Sequence, residues 1–215
     1  MMFGNRFRRD PPQSLPEAGD LPRVISPDTL RPQRLPPGQS RARRWPVLTW
    51  GEVPQVDLAT WELRVGGLVE QELRLSWEDF RRLPRIEVLA DMHCVTTWSL
   101  LDNLWEGVGV QELMKRARPL PEAGFVLVSC YGGYTTNLPL EDFLQPDVLL
   151  ADRRQGEPLP PEHGGPVRLV VPRLYAWKSA KWIQSIELLR QDIPGFWERN
   201  GYHPRGDPWA EERFG

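Results

Sequence analysis

The sequence predicts an α+β fold, on three observations. Short apolar runs of strand character recur at irregular spacing, the helical stretches between them are brief, and neither a βαβ rhythm nor a G-x-G-x-x-G fingerprint is present. With 215 residues, 40% of them hydrophobic and ten of them Trp, the chain can bury one substantial core, and a single domain with a tail at each end is expected.

The first 45 residues read as an extended arm. Residues 1–46 hold nine of the 23 prolines and few large apolar side chains, so this stretch cannot form a core of its own. Nine Arg against four acids give residues 1–45 a charge of +5, leaving −7 on the remainder of a chain whose net charge is −2. A basic arm wrapping an acidic body is favoured over nucleic-acid binding, because the arginines are spread out and lack interleaved aromatic groups to stack on bases. The globular region is expected at residues 46–190, with an aromatic tail at 191–215 packing Phe196, Trp197 and Trp209 onto it.

Within the body, Trp61 to Val65 alternates with period two and ends at Gly66-Gly67, the mark of a half-buried strand and a turn. Ser76 to Leu83 reads as a short helix, with Ser76 as N-cap, Glu78 and Asp79 in the first turn and Pro84 just beyond its end. Ile86 to Ala90 is a buried strand leading towards Cys94. Gly109 to Ala117 is a second helix, with Val110, Leu113 and Met114 on one face. Phe125–Cys130, Val148–Ala151, Val167–Val171 and Ile183–Leu189 complete the strands, and there are no internal repeats.

No stretch approaches the roughly 18 consecutive apolar residues that a membrane-crossing helix requires. Arg8-Arg9 is followed by polar, Pro-rich residues where an export signal would carry an apolar segment. The expectation is a cytoplasmic protein without a membrane span. Two cysteines in a chain of this length argue against a disulfide framework. Three His and two Cys, with no C-x-x-C pair, do not make a closed zinc site.

Cys94 stands where an apolar run gives way to the polar, aromatic stretch Asp91 to Ser99. By itself such a cysteine reads as a small buried hydrophobe. Its neighbour His93 also suggests a Cys/His nucleophile, although such partners meet in space and not in sequence. Cys130 reads as core.

A wider pattern surrounds Cys94. His93-Cys94-Val95-Thr96-Thr97-Trp98-Ser99, Leu104-Trp105-Glu106-Gly107-Val108, Gly133 to Leu140, Glu157 to Arg168 and Leu174 to Trp182 follow one another as separate motifs. In that order they resemble the sulfite-oxidase-like molybdopterin-dependent oxidoreductases, over residues 46 to 190 and again in the tail from Gly195 to His203. The resemblance implies a sulfite-oxidase-type molybdopterin-binding fold of mixed sheets with short helices. It also implies a metal-binding enzyme carrying molybdenum-molybdopterin (Mo-MPT), which moves an oxygen atom or electrons on a small molecule such as a sulfoxide, N-oxide or sulfite.

The resemblance assigns Cys94 as the catalytic thiolate on the metal, a soft donor suited to a redox-cycling ion. It assigns Ser129, His163, Arg168, Ser179, Ala180 and Lys181 to the pterin and its phosphate, which need cationic and N–H donors. Ser179-Ala180-Lys181 match residue by residue, while Ser129 and His163 stand where the family commonly has Thr and Asn. Only three Lys occur in the chain, and Lys178 and Lys181 flank the same Ser-Ala pair.

Trp45 to Thr49 is the segment expected to cover the pterin. His93, Trp98, Tyr175 and Arg173 are candidate substrate-pocket groups, and Tyr202 and His203 belong either to the rim or to the packed tail. Sulfite is the weaker substrate, because Val95 to Ser99 contains no Arg where the family's sulfite enzymes have one. Without a haem or Fe–S ligand set, the chain is expected to exchange electrons with an external donor or acceptor protein. The competing readings are a cofactor-holding protein with little catalysis and a basic-tailed nucleic-acid binder.

Overall fold

The computed structural model describes residues 20–215; Arg8-Arg9 and the first part of the basic arm lie outside the described residues. In chain order the elements are β1 (Arg23–Ile25), β2 (Ser40–Arg41), β3 (Glu62–Gly67), β4 (Leu73–Ser76), α1 (Trp77–Arg82), β5 (Ile86–His93), β6 (Trp98–Gly109), α2 (Val110–Ala117), β7 (Phe125–Cys130), β8 (Thr135–Pro139), α3 (Leu140–Phe143), β9 (Leu149–Arg154), β10 (Glu157–Pro158), β11 (Arg168–Val170) and β12 (Ile183–Leu189).

Two sheets result. A seven-stranded sheet runs β1-β5-β6-β9-β10, with β11 paired to β9 and β2 to β6. A five-stranded sheet runs β4-β3-β12-β7-β8. Parallel pairs (β1 with β5, β2 with β6, β12 with β3) are mixed with antiparallel ones, and the helices are short, which is the α+β architecture expected.

Period-two patterning builds the larger core. Leu63 and Val65 of β3, Val126, Val128 and Cys130 of β7, and Ile186 and Leu188 of β12 are buried together. Phe80 of α1 closes this core edge-to-face against Trp61, with ring centroids 5.5 Å apart. The α1 start is a capping box: the Ser76 side chain accepts from the Asp79 amide, and the Asp79 carboxylate accepts from the Ser76 amide. In α2 the buried face is Val110, Leu113, Met114 and Ala117.

The twelve-residue strand β6 begins within the polar, aromatic stretch that contains Cys94 and was not among the strands expected. Asp102-Asn103 interrupts the apolar alternation, and the backbone answers with a bulge: Asp102 sits at φ 61°, where the β5–β6 register shifts between Ala90 and Met92. Long-range partners satisfy the polar groups there. Asn103 donates to the carbonyls of Ala90 at 3.1 Å and Leu100 at 2.8 Å, and the Asp102 amide donates to Asp91 at 2.9 Å.

The arm, from residue 23 onward, departs from expectation in the same direction. It runs as sheet strands, β1 beside β5 and β2 beside β6, so the edges of the seven-stranded sheet find backbone partners. Its charge meets the acidic body as the asymmetry suggests. Arg34 grips Asp91 and Asp102 at 2.5 and 2.7 Å, and Arg23 meets Glu87 at 2.7 Å. Among the described residues no helix is long and apolar enough to cross a membrane.

Candidate active site

Strand β5 delivers Cys94 to a tight turn into β6. The Cys94 amide donates to the Trp98 carbonyl at 2.8 Å, the Thr97 amide donates to the Cys94 carbonyl at 3.0 Å, and Thr97 adopts φ 71° to close the turn. The thiol is 8% exposed and lies 3.1 Å from the Thr96 hydroxyl. Burial pushes its pKa up, with the Thr96 contacts opposing.

Cys94 opens into a cavity of about 320 Å³. Strand β11 contributes Arg168 to the lining, and the connection from β11 to β12 contributes Ser179, Ala180 and Lys181. Arg168 is buried and donates to the carbonyls of His163 at 2.8 Å and Ser179 at 2.7 Å. Burial, reinforced by Arg154, brings its pKa down to about 9. Lys181 donates to the carbonyls of Leu48 at 2.8 Å and Glu162 at 2.7 Å, and burial together with Arg168 brings it down to about 7.

Among the described residues neither cation makes a salt bridge. Two positive groups, Arg168 buried and Lys181 half-buried, are held on carbonyl oxygens with their charged forms disfavoured, a pair that an anion would balance. The donor set therefore fits a phosphate-bearing pterin, and the buried thiol lining the same cavity fits a soft metal.

His163 adjoins these cations without lining the cavity. Its ring stacks on Trp45, which does line it, at a centroid separation of 3.7 Å. Burial, then Lys181 and Arg168, bring His163 down to about 4, and its Nδ1 is buried without a hydrogen-bond partner. The close approach depends on Gly164, at φ 105°, where a Cβ would stand 3.0 Å from the side chains of Arg168 and Lys181.

Other expected groups lie elsewhere. Ser129 is absent from the cavity lining and sits in β7 opposite Ser185 and Thr135. The Ser179 hydroxyl accepts from the Val171 amide at 2.9 Å, tying its loop to β11. Lys178 turns away from the cavity and is fully buried against Glu198 at 2.6 Å. Arg173 pairs with Asp147 at 3.1 Å, and His93 is buried with Nδ1 2.8 Å from the Ser99 hydroxyl.

Trp98 lines the cavity, whereas Tyr175 is fully buried behind it and stacks on Trp177. Tyr202 lines the cavity too, and His203 instead faces Glu212 at 3.3 Å. Sequence reasoning missed the aromatic lining made by Trp177 and Trp197. Nothing in the chain distinguishes those tryptophans from ordinary core residues.

Residues 50–197 match the model of the oxidoreductase molybdopterin-binding domain. The chain belongs to this family. It is 51% identical over 182 residues to the uncharacterized oxidoreductase YuiH of Bacillus subtilis (strain 168), covering 84% of this chain and 92% of that one. It is 36% identical over 157 residues to the protein-methionine-sulfoxide reductase catalytic subunit MsrP of Gluconobacter oxydans (strain 621H), and 31% identical over 155 residues to that of Campylobacter jejuni.

The chain spans about half the length of these two reductase subunits. Its fold matches the sulfane dehydrogenase SoxCD of Paracoccus pantotrophus with a TM-score of 0.61 at 24% identity, over 69% of this chain and 42% of that one. As a member of the molybdopterin-binding family, the chain is an oxidoreductase of the sulfite oxidase superfamily and its cofactor is molybdopterin.

Proposed function

We propose that this chain transfers an oxygen atom at molybdenum on a small neutral molecule, a sulfoxide foremost, and exchanges electrons with a separate protein. The observation that carries the reading is one cavity lined by Cys94, by the cations Arg168 and Lys181, which make no salt bridge among the described residues, and by aromatic side chains. Arg168, Lys181 and the His163 turn would hold the pterin and its phosphate, and Cys94 would donate its thiolate to the metal. When bound, the group supplies two-electron oxygen-atom chemistry.

The protein's part is burial, orientation and charge. Cys94 would have to give up its thiol proton on binding the metal, so loading would be coupled to deprotonation. With the cations committed to the pterin, the substrate meets Trp98, Trp177, Trp197 and Tyr202, which exclude water and carry no positive charge. Such a wall selects against a sulfite dianion, and the candidate Arg173 is already engaged by Asp147. It suits a sulfoxide or N-oxide with apolar substituents, and the relatives that are methionine-sulfoxide reductase subunits support the sulfoxide. The net change is sulfoxide plus two electrons and two protons to sulfide and water. Both cysteines are free thiols, which accords with a cytoplasmic location.

The test is metal analysis of protein made in a molybdenum-replete host, followed by dye-coupled turnover of methyl sulfoxides, N-oxides and sulfite. About one molybdenum per chain and turnover of the sulfoxide are expected. Protein free of molybdenum, or turnover with sulfite alone, overturns the reading.

A further inference from the structure

Both flanks of the chain grip the Cys94 turn. Gln39, just ahead of β2, donates its carboxamide N–H to the Cys94 carbonyl at 3.0 Å. Arg213, from the C-terminal tail, donates from Nη1 to the Val95 carbonyl at 2.6 Å, and its guanidinium lies 5.2 Å over the Tyr175 ring. The Ser40 amide holds the far end of the turn through the Thr97 carbonyl at 2.9 Å. All three grips come from outside the matched residues 50–197, so the family domain supplies the thiol and its flanks supply the hold.

Each of the first two grips fixes an amide beside the sulfur. In a trans peptide a carbonyl and the following N–H are coplanar and point in opposite directions. Holding the Cys94 carbonyl with Gln39 thus orients the Val95 N–H, and holding the Val95 carbonyl with Arg213 orients the Thr96 N–H. The Thr96 hydroxyl, borne on the second of these peptides, lies 3.1 Å from the Cys94 sulfur. Donors around a metal-bound cysteine sulfur withdraw charge from it and tune the metal.

We propose that Gln39 and Arg213 are positioning residues of the molybdenum site, fixing through the carbonyls they hold the peptides on either side of Val95, and with them the Thr96 hydroxyl beside the ligand sulfur. The inference rests on the reading of Cys94 as the molybdenum ligand. Arg168 and Lys181 are held by other carbonyls, so loss of these grips is expected to alter the metal's electronic state and turnover without emptying the site.

The test uses the cofactor-loaded full chain with Arg213→Gln, Arg213→Lys and Gln39→Met. Three properties are measured on the same samples: amide exchange of peptides covering residues 93–98, the paramagnetic resonance spectrum of partly reduced molybdenum, and kcat and KM with a methyl sulfoxide. In Arg213→Gln and Gln39→Met we expect exchange in the turn and the loss of kcat each to reach about tenfold, with KM and metal content near wild type. The resonance spectrum should shift, and Arg213→Lys should recover most of the change.

Faster exchange without any change in spectrum or kcat overturns the proposal, because the grips are then merely structural. So does exchange that spreads over both sheets with loss of metal. A wild type that carries no molybdenum overturns the Cys94 reading and this proposal together, whereas a loaded wild type with unresponsive variants overturns this proposal alone.

Discussion

His163 stacks face to face on Trp45, with ring centroids 3.7 Å apart and planes 9° from parallel. The same indole lies within cation–π reach of Arg154 at 4.7 Å and Arg168 at 5.4 Å. One ring from the N-terminal flank therefore joins His163, Arg154 and Arg168 beside the cavity that it lines. Trp45→Ala removes contacts worth about 2 kcal/mol in all, and is expected to weaken pterin retention at least about tenfold. Cofactor content after gel filtration is the measurement, and unchanged content would remove Trp45 from the site.

Lys181 ties stability to pH. Its folded pKa of about 7 lies below the ordinary lysine value, so between these two values the unfolded chain binds a proton that the folded chain does not. Stability of the cofactor-free protein therefore rises with pH through that window. Arg168, brought down to about 9, adds its own contribution only above that pH. Denaturation midpoints from pH 7 to about pH 9 should climb in the wild type and flatten in Lys181→Met, which should also lose cofactor. An equal slope in both proteins would show that Lys181 is solvated.

Arg34→Ala should be the most destabilising change in the arm. It strips the partner from Asp91, whose side chain is fully buried, and from Asp102 at the β6 bulge. Breaking a buried pair costs about 3–5 kcal/mol, or about 10 °C in Tm for a chain of this size. Thermal melts decide the matter; a shift of a degree or two would mean that the arm is only draped on the sheet.

The two cysteines should part company on substitution. Cys94→Ser replaces a soft donor with a hard one, and activity with molybdenum content should fall severely. Cys130 lies in the core, 3% exposed, and burial pushes its thiol well above the usual range. Cys130→Ser should keep activity and cost about 1–3 kcal/mol from the buried hydroxyl. Full activity in the Cys94 variant would sink the metal assignment.

Local chemistry made much of this protein legible. The capping box at Ser76, the apolar face of α2 and the alternation in β3, β7 and β12 are written in neighbouring residues, so their type and place follow from periodicity. Cys94, Arg168 and Lys181 were legible because they sit inside ordered motifs. β6 was not, because Asp102-Asn103 breaks the pattern, and the Arg34, Asp91 and Ala90 groups that satisfy those side chains come from distant chain.

The sequence by itself determined the α+β class, the thiol and the cationic loop. Tertiary structure decided which of the candidate side chains face one cavity: it turned Lys178 into the buried partner of Glu198 and left Ser129 outside the lining. It also brought Gln39 and Arg213, from opposite flanks, onto the two carbonyls of the Cys94 turn. Periodicity is a property of a few consecutive residues, whereas which backbone group satisfies which depends on chain segments far apart in sequence, and no local pattern encodes that meeting.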